Sequence, residues 1–245
     1  MTLEYPRAIR KVIDRIEQTQ MPAVGKAADL VVHALSNRGV VYCHNIGHGI
    51  EGDWIHRAGG LAAVQKFTYA LNVQAPVPEC LKDRPRGEPF DAIRESARYA
   101  LRAGNIRAGD VMVLSSVSGR NIEPVQLALT CRELGVFTIA LTSMDYTARV
   151  NSLHPSGKRL FEAADVALDC CAPYGDGAVD LPGYEASLLP VSGIAMDFLG
   201  WMLWETVIRR MAQAGTPAAV YMSFNREGGQ DAHAKTVRQY NERGY

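Results

Sequence analysis

The stretch Ser115-Ser116-Val117-Ser118-Gly119-Arg120-Asn121 sets three serines, a glycine and an asparagine directly ahead of the helical pattern Ile122-Glu123-Pro124-Val125-Gln126. Asn is a good N-cap, and Pro suits a first helical turn, where no amide proton is needed. First-turn N–H groups with hydroxyl donors beside them form an anion site, most naturally for a phosphate. Gly119 lets the backbone bend toward a ligand. The plainer alternative is a capped helix after a Ser-rich turn, because every helix start must find partners for its free N–H groups.

A second polar stretch is His44-Asn45-Ile46-Gly47-His48-Gly49-Ile50-Glu51-Gly52-Asp53-Trp54. Glycines after a buried strand permit close backbone approach to a ligand. His44 and His48 have the spacing of helical metal ligands. They directly follow a strand-like run, however, and no third ligand is spaced to match, so no metal site is expected. The stretch lacks the Gly-Lys-Ser/Thr of a P-loop and is not a dinucleotide fingerprint. Glu51, Asp53 and His48 are nonetheless groups able to move protons. Thr142-Ser143-Met144-Asp145 places two hydroxyls after another apolar run, where they would bond a sugar or cap the next turn. Near the C-terminus, Asp231 and His233 open a last helix carrying Tyr240 and Arg243. Glu205 lies in an apolar helical stretch, where a carboxylate is paired, surface-facing or catalytic. Trp201 and Trp204 read as core or interface, and Cys170-Cys171 as buried thiols.

These residues need a frame. Five short apolar runs punctuate the chain: Val40–Cys43, Val111–Leu114, Phe137–Leu141, Val166–Leu168 and Ala219–Met222. Each is continuous rather than alternating, as strands buried on both faces are. Helical patterns at 87–104, 121–134, 157–164 and 190–214 lie between most of them. Strands alternating with helices predict an α/β fold, a three-layer αβα sandwich on a parallel sheet. Ligands then bind outside the carboxyl ends of the strands, where the polar stretches fall. The first 38 residues read as a helical hairpin. Ile9, Val12, Ile13 and Ile16 recur at helical spacing, as do Ala28, Leu30, Val31, Ala34 and Leu35, with Gln20, Met21 and Pro22 between and Gly39 as the stop. The Pro-rich, charged stretch 72–89 reads as a long loop of the kind that serves as a functional lid, and 172–187 as a second irregular stretch. No repeat or composition shift divides the chain, so 1–245 reads as a single domain, with 1–38 the hairpin and 39–245 the αβα core and C-terminal helix.

The composition closes off other classes. Of 245 residues, 47% are hydrophobic and 21% charged, which excludes an intrinsically disordered chain. The 26 basic and 26 acidic residues balance, so no nucleic-acid or anionic-membrane partner is expected. No apolar run reaches the roughly 18 residues of a membrane span. The charged N-terminal stretch has no signal-peptide core, and five cysteines without a C-x-x-C pair read as free thiols of a reducing cytoplasm.

Several stretches together carry a resemblance. They are Arg57-Ala58-Gly59-Gly60, Ser116–Asn121, Ile139–Ser143, Leu153-His154-Pro155-Ser156-Gly157-Lys158-Arg159-Leu160 and Ala164-Asp165-Val166, with the ending Ser223-Phe224-Asn225, Gly228–His233, Tyr240 and Arg243. From the first helix to the C-terminus the chain resembles the sugar isomerase (SIS) domain family, in a short, single-domain bacterial subgroup related to phosphoheptose isomerase. The resemblance implies a five-stranded, flavodoxin-like parallel sheet and a phosphosugar ligand. Ser116, Ser118 and Asn121 would hold its phosphate, with Gly119, Arg120, Thr142, Ser143, Gly47 and Asn45 around the sugar. It implies aldose–ketose isomerisation through an enediol, with Glu51, Asp53 or His233 as base and His48 as donor or acid, and no metal or organic cofactor. It further implies a homodimer or homotetramer, with sites at subunit contacts. The alternatives are a non-catalytic sugar-phosphate sensor or regulatory subunit, or an isomerase or lyase acting on another anionic sugar, sulfonated or amino. Two departures stand out. Gly47-His48-Gly49 replaces a first loop that commonly ends in Ser, and Asn121 stands where Thr frequently closes the phosphate motif.

Overall fold

The computed structural model describes residues 3–85, 87–88 and 90–245; positions 86 and 89 of the 72–89 loop reading, and residues 1 and 2, lie outside them. The chain begins with two helices, α1 (Tyr5–Thr19) and α2 (Met21–Ser36), separated by Gln20 alone. Met21 and Pro22 thus belong to α2, where Pro sits at the helix start. Arg38, not Gly39, takes the left-handed conformation after α2, at φ +64°. Gly39 is needed for a different reason: a Cβ there would stand 2.8 Å from the Gly109 carbonyl oxygen.

Four of the predicted strands form. They are β1 (Val41–His44), β3 (Val111–Ser115), β4 (Phe137–Thr142) and β5 (Val166–Asp169). The fifth is β2 (Val64–Lys66), an edge strand. The sheet runs β2-β1-β3-β4-β5, with every neighbouring pair parallel, and Val41 is in register with both Val64 and Val111. The predicted run 219–222 is not a strand of this sheet. Leu61 and Val220 form an isolated antiparallel bridge, with Ala62 N–H donating to Ala219 O (2.9 Å) and Tyr221 N–H to Gly60 O (3.0 Å). Ala219 and Tyr221 are apolar because they pack with Ala62 under the C-terminal helix.

Helices cover both faces, giving the three layers. Val41, Cys43, Val111, Val113, Ile139 and Leu141 face α1, α2 and the long helix α8 (Ser192–Gln213). Met112, Leu114 and Ala140 face α4 (Ala92–Ala103), α5 (Ile122–Glu133) and the short α7 (Leu160–Ala163). Two apolar faces explain why these strands read as unbroken hydrophobic runs. Ser143 caps the one-turn α6 (Met144–Thr147) by accepting the Tyr146 N–H, and Asp91 caps α4 by accepting the Arg94 N–H. The 172–187 stretch is not wholly irregular: Gly177–Val179 (β6) pairs antiparallel with Leu188–Pro190 (β7). Between Tyr69 and α4 the described residues hold only a 3-10 turn at Glu79–Leu81. The last helix is α9 (Gly229–Arg243). No helix among the described residues is long and apolar enough to cross a membrane.

Candidate functional site

The strand order reverses between β1 and β3: the chain leaves β1 for the β2 edge, then returns across it to β3. Such a switch point opens a crevice at the carboxyl ends of the two strands, and the loops following β1 and β3 form its walls. One side chain ties those loops together. Ser115 Oγ accepts the Gly47 N–H at 2.7 Å and donates to the Asn45 carbonyl at 3.1 Å. Asn45 and Gly47 both have positive φ, and a Cβ on Gly47 would collide with Ile50. His48 is exposed in the turn that follows.

The serine loop is folded back on itself. Ser116 Oγ and the Ser116 carbonyl both accept the Gly119 N–H, and Gly119 has φ +66°. Asn121 occupies the N-cap position of α5, but its side chain makes no capping bond. Among the described residues, the Ser118 and Asn121 side chains and the backbone N–H groups of Ser118, Arg120 and Asn121 make no hydrogen bond. Arg120 Nε is buried and also lacks a partner. Free amides, a hydroxyl and an amide side chain therefore converge on the positive end of a 12-residue helix.

Other sequence-predicted residues have internal roles. Thr142 and Ser143 are fully buried and do not offer hydroxyls to a ligand. Thr142 Oγ1 donates to the Val117 carbonyl (3.2 Å), and Ser143 Oγ to the Ala172 carbonyl (2.6 Å). They pin the serine loop from behind. Glu51 is buried too: Oε2 accepts the Ile46 N–H (2.9 Å), and Oε1 lies 3.3 Å from Lys66 Nζ. Asp53 pairs with Arg57 at 2.9 Å. His233 stacks between Tyr221 and Phe224 on α9, and no hydrogen bond or ring contact among the described residues joins it to the serine loop. Glu205 is exposed and paired with Arg209. Burial pushes the Cys170 thiol up to about 12 and the Cys171 thiol up to about 11, which leaves both inert.

His44, which the sequence singled out only for its spacing from His48, meets Tyr69 and Glu123, which it did not single out, beside this crevice. His44 ends β1, and its Nδ1 lies 2.9 Å from the Phe67 carbonyl. Its ring stacks on Tyr69 at 5.5 Å. Tyr69 Oη donates to Glu123 Oε1 at 2.5 Å, and His44 Nε2 stands 3.6 Å from the same oxygen. The His44 imidazole above all holds the Glu123 carboxyl below its usual range, against the opposing pull of partial burial, and the Tyr69 bond adds to it. Burial and the carboxylate push the Tyr69 phenol up. The only sequence signal was a polar residue ending an apolar run, which marked His44 but could not name its partners. His44 and His48 do not act as a pair, and among the described residues no cluster of three His, Cys, Asp or Glu side chains is arranged to hold a metal.

Comparison with known proteins agrees with this architecture. The SIS domain profile matches residues 4–143, more than half the chain. The UPF0309 protein BH3325 of Halalkalibacterium halodurans is 32% identical over 244 residues, covering 97% of this chain and 96% of that protein. The UPF0309 protein ABC0887 of Shouchella clausii is 31% identical over 236 residues, covering 95% and 92%. A phosphoheptose isomerase structure from Francisella tularensis shares the fold at TM-score 0.52 and 12% identity, covering 84% of this chain and 95% of that one. The 2-1-3-4-5 sheet, the helical hairpin and the profile match over the serine loop converge: the chain belongs to the SIS domain family.

Proposed function

We propose that this protein binds a phosphorylated sugar in the crevice between β1 and β3 and interconverts its aldose and ketose forms. The observation that carries the reading is the unsatisfied donor set at the start of α5. Ser118, Arg120 and Asn121 present free N–H groups, and the Ser118 and Asn121 side chains are uncommitted. A phosphate there would accept several charge-assisted hydrogen bonds and meet the positive end of the helix dipole. Family membership supports a sugar as the rest of the ligand. The chemistry is proton transfer beside a carbonyl through an enediolate, which calls for a base and for donors near the developing oxyanion.

In this reading residues 1–245 work as one SIS domain, assembled as a homodimer or homotetramer in the cytoplasm. Support for assembly comes from the exposed apolar side chains Leu3, Leu181 and Leu189, which line one groove between α1 and the β6–β7 ribbon.

A second reading, a non-catalytic sugar-phosphate sensor, is favoured by one observation: Glu51 is tied down by Ile46 and Lys66 and is not poised over the crevice. The two share a binding test. A sugar phosphate at 100 times its Kd adds about 2.7 kcal/mol to folding stability, so thermal-shift screening against sugar phosphates, sulfonated sugars and free sugars should single out the phosphates. Ser118→Ala should reduce the shift. Equal shifts with free sugars, or an undiminished shift in Ser118→Ala, would remove the phosphate cradle from consideration.

A further inference from the structure

We infer that Glu123, braced by His44 and Tyr69, is the base that moves the carbon-bound proton of the sugar, and that the cavity beside it seats the sugar carbons. This rests on the reading of the serine loop as a phosphate cradle.

The placement comes first. Glu123 lies two residues after the N-cap Asn121, in the first turn of α5. A cavity of about 440 Å³ opens there, lined by Tyr69, Ser96, Asn121, Glu123 and Leu153. A ligand whose phosphate rests on the serine loop therefore has a carboxylate within its own length, facing open space. Glu51 offers no such group, because both of its oxygens are engaged inside the protein.

The bracing comes second. Glu123 Oε1 accepts from Tyr69 and faces His44 Nε2, while no hydrogen bond is made by Oε2 among the described residues. One oxygen fixes the carboxylate and the other is free to act. Because a carbonyl only accepts, the bond to Phe67 assigns a proton to His44 Nδ1 and turns Nε2 toward the Glu123 carboxylate. His44 Nε2 is buried and has no hydrogen-bond partner, an arrangement that is costly unless it serves a proton. Glu123 is the catalytic residue here, and His44 and Tyr69 are positioning residues.

The step balances without a co-reactant. Glu123 Oε2 takes the proton from the carbon next to the carbonyl. The C–H electron pair becomes a C=C bond, and the carbonyl π pair moves onto oxygen. The hydroxyl proton passes from one enediolate oxygen to the other, and the Glu123 acid returns its proton to the former carbonyl carbon. Aldose becomes ketose with no change in atoms or oxidation state overall.

The test uses the full chain, inorganic phosphate as the binding probe, and a panel of five- to seven-carbon aldose and ketose phosphates in D2O. NMR follows deuterium entering the position beside the carbonyl. The expected result is phosphate binding in both wild type and Glu123→Gln, with exchange about 10²- to 10⁴-fold slower in the variant. If Glu123→Gln does not fold, Glu123→Asp keeps the charge, shortens the reach and should lose exchange similarly. His44→Gln should move the acidic limb of the exchange-rate profile to higher pH, because it removes the group that holds the Glu123 carboxyl down; the other titratable group facing it, Tyr69, stays. A merely structural His44 would leave the limb in place. Wild-type exchange rates in Glu123→Gln overturn the assignment of the base and leave the phosphosugar reading standing. Phosphate binding without exchange of any sugar by wild type overturns it in favour of a sensor. Absence of phosphate binding by wild type overturns both.

Discussion

Gly200 of α8 packs against the Trp54 indole so closely that a Cβ built on it would stand 2.1 Å from Trp54 Cζ2. Trp54 is also held by its Nε1–H, which donates to Asp197 Oδ1 of the same helix at 2.8 Å, and it meets Trp204 edge-on at 5.8 Å. Trp54 closes the short helix α3 (Glu51–Trp54) that follows the first crevice loop, so this contact sets where that loop sits. Gly200→Ala should gain about 1 kcal/mol of helix propensity but lose more, up to about 3 kcal/mol, to overpacking, for a net destabilisation of up to about 2 kcal/mol. Urea unfolding measures the loss, and tryptophan fluorescence reports the displaced indole. An unchanged or raised midpoint would mean that the indole has room to move.

Gly119 presents a backbone problem as well as a packing one. At φ +66° any side chain is strained, and a Cβ would stand 2.8 Å from Thr147 Oγ1 and 3.1 Å from Thr142 Oγ1. Gly119→Ala should cost about 1–3 kcal/mol from the left-handed conformation alone. Because Gly119 N–H closes the serine loop onto Ser116, phosphate affinity should fall with stability. Retention of wild-type affinity in a phosphate titration would show that the loop need not hold this shape to bind.

Ser115 offers a milder probe of the same crevice. Ser115→Ala removes both the acceptor for the Gly47 N–H and the donor to Asn45, worth about 1 kcal/mol net each. The protein should still fold, with a lowered denaturation midpoint and weaker sugar-phosphate binding, since the two crevice walls are no longer joined. Isothermal titration against the best ligand of the thermal screen decides it; identical affinity in the variant would exclude the tie as a determinant of the site.

His154 makes stability depend on pH. It is 7% exposed, its Nδ1 accepts the Ser156 N–H (3.1 Å), and Nε2 lies 3.0 Å from Gln126 Oε1. Burial, then the Arg94 charge, holds its pKa below the usual histidine value. The unfolded chain thus binds the proton first, at about pH 6.5. The stability it contributes is fully present above that pH and is lost as pH falls toward the lower folded value. Urea midpoints between pH 7.5 and 5.5 should decline, and His154→Asn should flatten the decline. Parallel slopes in the two proteins would assign the dependence elsewhere.

How far the sequence foretold all this depends on where each signal is stored. β3 and β4 were legible because both of their faces are buried, so burial is written into consecutive residues, and β1 and β5 because apolar residues also fill their half-buried positions. β2 was not, because Val64-Gln65-Lys66 is a three-residue edge strand with one buried side chain. Val220 imitated a strand because Tyr221 and Ala219 beside it are buried by α9 rather than by a sheet. The serine loop was legible as one contiguous stretch. Tyr69 and Glu123 were not, since their bond joins residues 54 apart, and nothing local to either announces the other. Thr142 and Ser143 stayed ambiguous because a hydroxyl at a strand end looks the same whether it faces a ligand or a backbone carbonyl.

The chain from β1 to β3 passes between Tyr69 and α4 through a stretch whose described residues are mostly exposed, before Val41 meets Val111. Closure entropy grows only with the logarithm of length, about 0.6 kcal/mol for each doubling. Ten extra residues spliced into this bridge would therefore cost about 0.3 kcal/mol. The segment is a graft point: a tag, a fluorophore or a whole binding module inserted there would report on the Tyr69–Glu123 cavity at its foot while leaving the register of the sheet untouched.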